Sequence, residues 1–582
     1  MKNNIKLGLL AVVLCVVTIF SASCAPQAEP TPTPDTSLGD ETVYPENGAK
    51  KIVSQARKLY VSADDVKDVT LAHYEGTPEI PLIDVETAGK LLDQLSKITK
   101  FELEETDTTL TITRVNGATC VIDFVEDSIY FEDFDRFIKY GDNVTDILES
   151  TYLNSKGESI YFKITDYMSV AGCPVDIDLA EKNIPLDIYE GKKYIPLQTF
   201  NDLLVSPFSY NYMFNSKDVF FISAEGINEA LKAEYYSVEP AERSEALIEY
   251  TVNELCLLLD LSYGLQEEHS IVDGFEKYLK KTGLMDDFRS TDPIVFSKAL
   301  ASLTYRYFGD SHSGILELSP YMDSSKLSWD DLKYHSSYNH FWEYSSKITS
   351  VRDEVMTEGV KGYEEVDNTA YITFDSFTRS EIRFEDYSEE SFNDQSDTLG
   401  LIIYAHSMIT RENSPIENVV VDLSCNTGGI GDAAVYVVAW MLGYCDAHIA
   451  NPITKSYSTC SYAVDVNLDG VFDDKDSIAD KNLYCLISPA SFSCGNLVAS
   501  MLKESNRVTL IGETSGGGAC AVHFASTPDG TLIAFSSAIR LSTSANGSYY
   551  GIDRGVDPHH HLSKLESYFE RESLTEYINS LK

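Results

Sequence analysis

Hydrophobic and polar positions fall into three regimes along the chain. From about Tyr44 to Ser223, short apolar runs alternate with polar residues, as in FELEETDTTLTITR (Phe101–Arg114) and YNYMFNSKDVFFIS (Tyr210–Ser223). That period of two predicts half-buried strands. Between Ala241 and Phe308 the period lengthens: Phe296, Leu300, Leu303 and Tyr307 recur on one helical face, a core-packing pattern. Beyond a polar stretch at Ser324–Gly359, near-continuous apolar runs predict strands at Ala370–Phe374, Asn418–Leu423, Asn482–Ser488, Arg507–Gly512 and Thr531–Ile539. Helices are predicted between them at Gly400–Thr410, Asp432–Leu442 and Ser493–Glu504. Strands without a polar face belong to sheets covered on both sides. The fold class is therefore an α/β C-terminal domain, preceded by a helical segment and strand-rich α+β N-terminal modules.

The N-terminal region repeats a pattern. Glu79-Ile80-Pro81-Leu82 precedes a helix-like stretch (Val85–Ile98), and Tyr194-Ile195-Pro196-Leu197 precedes a second, shorter one. Two such units about 115 residues apart point to a duplicated module. The pattern resembles stalk domains of bacterial surface proteins related to the N-terminal domain of copper amine oxidases. That resemblance implies a spacer or binding module and no metal. At the start, Lys2 and Lys6 precede an apolar run from Leu7 to Phe20 and then Ser21-Ala22-Ser23-Cys24. A basic start, a short apolar core and small residues describe a secretory signal, too short to span a membrane comfortably. The residues before Cys24 resemble a bacterial lipoprotein cleavage box, which implies a lipid on Cys24. Ser21 stands where that box usually has Leu, so plain cleavage near Ala22 stays open. The expected organisation is a signal (1–24), a Pro/Thr-rich tether (25–42), duplicated modules (43–225), a helical lead-in (235–315) and an α/β core (316–582).

Charge narrows the partners. With 91 acidic and 45 basic residues, the net charge is −46, which argues against nucleic acid or an anionic membrane face. Any membrane contact is expected through the lipid anchor alone. Besides Cys15 and Cys24 there are nine scattered cysteines and no CxxC, so neither a zinc knuckle nor a redox motif is indicated.

Four pieces carry candidate chemistry. Ser493 follows an apolar strand and opens an apolar helix, where unpaired N–H groups favour developing negative charge. A plain helix cap is the other reading of that serine. His312 lies in Gly309-Asp310-Ser311-His312-Ser313-Gly314, where small neighbours let an imidazole project as a base. In Val419-Val420-Val421-Asp422-Leu423-Ser424-Cys425-Asn426-Thr427-Gly428-Gly429, glycines after a buried strand permit a turn whose N–H groups converge. Gly428, Gly429 and Cys494 are thus the candidate oxyanion donors. Gly512-Glu513-Thr514-Ser515-Gly516-Gly517-Gly518 is suited to lining a substrate groove.

In this order, with AYITFDSFT and a late Gly555-Val556-Asp557-Pro558, these motifs resemble the C-terminal processing (tail-specific) family of serine peptidases, from about Ala241 onward. The resemblance implies a ClpP/crotonase-like sheet and Ser493 as nucleophile. Many members activate the serine with a lysine in the Gly-rich segment after Gly-Glu-Thr, where this chain has Gly516, Gly517 and Gly518 and no Lys. His312 fits the tricorn-like branch instead, which implies a late acid to orient it. Asp553 occupies about that place, and Glu513 is its rival. Asn496 replaces a frequent Glu, Pro558-His559 replaces Pro-Asp, and the stretch between Gly314 and Ala370 is too short and polar for a PDZ domain.

One motif is independent of that family. Asp465, Asn467, Asp469, Asp473 and Asp476 stand at loop positions 1, 3, 5, 9 and 12, with Gly470 at 6 and the Val471 carbonyl at 7. This is calcium-loop spacing, and Asp at the last position resembles dockerin loops. A structural Ca²⁺ is expected there, with no organic cofactor; the other reading is a solvated acidic loop. The functional expectation is an exported, cell-surface or periplasmic-side serine endopeptidase acting on peptides or proteins. The alternative is a non-catalytic peptide-binding or cell-envelope scaffold protein on a degenerate peptidase fold.

Overall fold

The computed structural model describes residues 51–95, 101–138, 161–223, 226–327, 332, 337–378, 397–545 and 548–581. The expectations for the signal, tether and Cys24 lie outside these residues. At the centre of the C-terminal half is a six-stranded sheet in the order Tyr363–Val366, Thr369–Thr373, Asn418–Asp422, Asn482–Ile487, Val508–Gly512, His560–His561. All neighbours pair parallel except the first two. Side chains alternate across it, which explains the unbroken apolar runs. Ala370, Ile372, Val419, Val421, Leu483 and Cys485 pack with helices Thr398–Thr410, Gly431–Leu442 and Cys494–Glu504. Tyr371, Val420, Tyr484, Leu486 and Ile511 face the other way, towards helices Ser337–Val355 and Arg571–Ser580.

Helix Gly431–Leu442 is buried at every residue. It packs among its two neighbouring helices and the hairpin Cys445–Asn451/Ser456–Val464, so an all-round apolar sequence is what its site requires. That hairpin belongs to a second sheet, in the order Gly314–Glu317, Leu532–Ala545, Cys445–Asn451, Ser456–Val464, Phe162–Val170. The strand expected at Thr531–Ile539 is therefore Leu532–Ala545 and belongs to this second sheet. Helix Ser337–Val355 falls within the stretch read as polar; Ile348, Val351 and Val355 give it one apolar stripe against the central sheet. His560–His561 form the edge strand of this sheet, and His559 just before it accepts the Leu510 N–H on Nδ1 at 2.9 Å.

The N-terminal region forms two sheets, of seven and five strands: the Pro-Leu segments share the first, and Phe101–Glu105 and Thr109–Arg114 belong to the second. Strand Lys192–Pro196 pairs antiparallel with Leu82–Asp84, placing Ile195 opposite Ile83. The two Pro-Leu units thus meet as the second and third strands of the seven-stranded sheet. Strand Phe162–Val170 leaves this unit and pairs with Ser456–Val464. Polar side chains seal the seam: Gln198 Nε2 donates to Ser526 O (2.7 Å), Asn211 Nδ2 to Phe524 O (2.9 Å), and Asn451 Nδ2 to the buried Asp135 (2.7 Å). These contacts join the described residues between 51 and 223 to the C-terminal half. Among the described residues no helix is long and apolar enough to cross a membrane.

The last helix is held by a buried charge network. Arg571 donates to Asp422 (2.8 Å), Glu364 (2.9 Å) and Thr373 Oγ1 (2.9 Å), and its guanidinium lies over the Tyr371 ring. Asp422 is 1% exposed, so removing the cation strands a buried carboxylate at the end of a central strand. Arg571→Ala is expected to destabilise the protein by about 3–5 kcal/mol. Urea unfolding checks this: an unchanged midpoint would show that the network is not supporting the sheet.

Candidate active site

Strand Asn482–Ile487 and helix Cys494–Glu504 are joined by a tight turn. Ser493 caps the helix with φ 54° and ψ −119°, outside the regions an L-residue favours. Such a backbone costs about 1–3 kcal/mol and persists only where its surroundings impose it. They do so here: the Ser493 N–H donates to Gly517 O (2.9 Å) and the Phe492 N–H to Asn426 O (3.1 Å). The Ser493 side chain makes no capping hydrogen bond, so the plain-cap reading does not describe it.

Glycines let the turns close on this serine. A Cβ on Gly428 would lie 2.7 Å from Ser493 Cβ, and one on Gly517 only 1.9 Å from Asp553 O. Of the expected oxyanion donors, Gly428 is committed elsewhere: its N–H donates to Asn426 Oδ1 at 2.9 Å. Gly429 and Cys494 are brought together, Cys494 Sγ donating to Gly429 O at 3.1 Å. The sequence pattern could not separate Gly428 from Gly429, because the Asn426 side chain that claims one of them acts only in the folded turn.

The His312 loop is organised by Asp310. Asp310 Oδ1 accepts the N–H groups of His312 (3.1 Å) and Ser313 (2.7 Å), and Oδ2 accepts from Ser313 Oγ (3.0 Å) and Tyr263 OH (3.1 Å). Tyr263 stacks on Phe308 at 4.0 Å between ring centroids, which fixes the loop to the helical lead-in. Burial pushes the Asp310 carboxyl up to about 6, and the charge of Asp553 pushes in the same direction. Sequence reasoning passed over Asp310, although an Asp two residues before a loop histidine is a familiar turn signal.

His312 itself is buried, its ring centroid 4.7 Å from that of Phe492, the residue before Ser493. Phe341 packs on Phe492 as well, also at 4.7 Å. Neither ring nitrogen of His312 has a hydrogen-bond partner among the described residues. Burial pushes the imidazole down to about 4, so it is neutral at physiological pH. The expected Ser–His–Asp relay is thus not joined by hydrogen bonds in this state.

The two candidate acids separate clearly. Asp553 Oδ1 accepts the Ala519 N–H at 3.1 Å, and its charge is felt at Asp310 and Tyr263. It borders a cleft of about 460 Å³ with Glu267, Glu268, Arg540 and Arg554. Glu513 accepts from Tyr344 OH at 2.6 Å, on the side of the central sheet where Tyr344 and Tyr568 pack. Asp553 is thus the one whose charge reaches Asp310 of the His312 loop, while the imidazole itself is shifted by burial alone. Asn496, noted only as a departure, donates to Ile552 O (2.9 Å) and accepts from Ser515 Oγ (2.7 Å), clamping the Asp553 segment to the serine's helix.

The calcium-loop residues stand apart from this site, between Val464 and the strand beginning at Asn482. No curated protein matches the chain. Among solved structures it is similar to a photosystem II D1 C-terminal processing protease, at 21% identity over 33% of this chain and 42% of that one, with a TM-score of 0.25. It is similar to a putative peptidase from Parabacteroides merdae, at 15% identity over 55% of this chain and 90% of that one, TM-score 0.38. It is also similar to the tricorn protease, at 10% identity over 83% of this chain and 60% of that one, TM-score 0.33. Residues 368–562 match the model of peptidase family S41, which spans the Gly428 turn, Ser493 and Asp553. The chain carries a serine peptidase domain of family S41.

Proposed function

We propose that this protein is an exported serine endopeptidase whose nucleophile is Ser493 and whose base is His312. The strained backbone of Ser493 carries the reading: a non-glycine residue held at positive φ, at a helix N-terminus, facing two glycine turns. In this mechanism Ser493 Oγ attacks the substrate carbonyl carbon while His312 takes its proton. The N–H groups of Gly429 and Cys494 receive the oxyanion. His312 then returns the proton to the departing amine, and water, deprotonated by the same imidazole, releases the acyl group. Catalytic hydrogen bonds commonly tighten only around substrate, so an unbonded imidazole in the apo state is compatible with this role. Forming imidazolium in a buried site needs negative charge nearby, a role this reading gives to Asp553, whose charge is felt at Asp310 of the same loop. Export, with a lipid on Cys24, rests on the N-terminal sequence pattern.

Three outcomes test the reading. A fluorophosphonate probe should label the whole chain, and Ser493→Ala should abolish both labelling and peptide hydrolysis. His312→Ala should lose roughly 10⁴-fold or more in kcat, because nucleophile and base act as a unit. Hydrolysis that survives Ser493→Ala would sink the assignment, and absent labelling of the unaltered chain would favour a peptide-binding protein. Next, Gly428→Ala should slow labelling by at least about tenfold, since the new methyl displaces Ser493 or forces a strained φ of 108°. A labelling rate equal to that of the unaltered chain would show that the turn does not position the serine. Finally, a base with its pKa lowered to about 4 stays unprotonated well below the ordinary imidazole value of 6.5. The acid limb of kcat/KM should accordingly fall near pH 4–5. A limb at 6.5 would show that His312 is solvated during turnover.

A further inference from the structure

The loop Asp465–Asp476 joins the hairpin strand Ser456–Val464 to the strand that delivers Ser493. Asp465 is fully buried there. Its Oδ2 accepts the Gly470 N–H across the loop at 2.8 Å, which places the carboxyl inside the loop. Its Oδ1 is equally buried and has no hydrogen-bond partner. An orphaned carboxylate oxygen is costly unless something positive meets it. Around it, the remaining oxygens follow the calcium-loop spacing. Asn467 Oδ1 accepts the Asp469 N–H (2.9 Å), Asp469 Oδ1 the Val471 N–H (2.8 Å) and Asp473 Oδ1 the Lys475 N–H (2.8 Å). Asp469 Oδ2 lies outside these bonds, and Asp473 Oδ2 pairs at 3.5 Å with the exposed Lys475 ammonium, a weak surface contact that a divalent cation displaces. Asp476 is buried and ties both ends of the loop, accepting from Val466 N–H (2.9 Å) and Asp473 N–H (2.9 Å). Leu468 and Gly470 take φ of 62° and 77°, bending the chain round Asp465.

We infer that this loop binds one Ca²⁺ through Asp465 Oδ1, Asn467, Asp469, the Val471 carbonyl, Asp473 and Asp476. Oxygen-only ligands on a flexible loop suit calcium better than magnesium, which demands tighter octahedral geometry. Among the described residues no three or more His, Cys, Asp or Glu side chains are already gathered for a metal. The ion therefore draws the exposed Asp469 and Asp473 towards Asp465, and the loop stiffens as it binds. The effect reaches the core, because Tyr436 OH donates to Asp465 O (3.0 Å) and the Ile478 N–H to Trp440 O (3.0 Å). Both contacts are to the fully buried helix that packs beside Cys494–Glu504.

Calcium chloride is titrated calorimetrically into the whole chain, and thermal unfolding is followed with and without about 5 mM calcium, a level that saturates even weak extracellular-type sites. The expected results are saturable heat and a Tm raised by about 5 °C, with a much smaller response to magnesium. Asp469→Ala/Asp473→Ala, both at exposed positions, should fold, lower the calcium-free Tm only by what two lost turn hydrogen bonds cost, and lose the heat and the calcium-induced shift. Asp474→Ala, outside the ligand positions, should keep both. No heat and no shift in the unaltered chain would overturn the inference, as would a full response in the double variant.

Discussion

Close backbone approach is the constraint on which this structure turns. Four segments meet at Ser493: the strand it leaves, the Gly428–Gly429 turn, the Gly516–Gly518 run and the stretch through Asp553. A Cβ on Gly429 would lie 2.2 Å from Phe377 O, and one on Gly517 only 1.9 Å from Asp553 O. No side chain fits at either place, so the segments are held by backbone hydrogen bonds instead. The serine's unfavourable φ and ψ are the local result. Parallel strands bring the first three of these together, because the turns after Asn418–Asp422, Asn482–Ile487 and Val508–Gly512 emerge at the same end of the sheet.

The electrostatics follow from the same crowding. Burial keeps the His312 imidazole uncharged and raises the Asp310 carboxyl of the same loop, which the charge of Asp553 raises further. Phe492 links the halves mechanically, sitting between His312 and Phe341 and leading directly into Ser493. The helical lead-in packs into the same site: it carries the His312 loop, which Tyr263 fastens through Asp310 and which meets Phe492. The N-terminal unit is joined by polar contacts and a shared strand, so its fold and that of the C-terminal half are coupled.

Much of the central sheet was legible in the chain. Strands such as Asn418–Asp422 and Asn482–Ile487 are covered on both faces, and burial of that kind writes itself into sequence as unbroken apolar runs. The hairpin Cys445–Val464 escaped notice because its buried positions alternate with half-buried serines and tyrosines, a weak signal between stronger ones. The two Pro-Leu repeats were visible, yet their pairing was not, since strand partners distant in sequence leave no local mark.

At the site, sequence alone determined which residue types were present and in what order: a serine at a helix start, a loop histidine, glycine turns and a late acid. Covalent order and turn chemistry are local properties, and those four were readable for that reason. Tertiary structure decided the rest. It assigned the Gly428 N–H to Asn426, put Glu513 beside Tyr344, brought the charge of Asp553 to bear on Asp310, and made Asp310 the loop's organiser. These are choices among equally plausible partners. They are settled by burial and distance across the folded chain, which spacing along it does not encode.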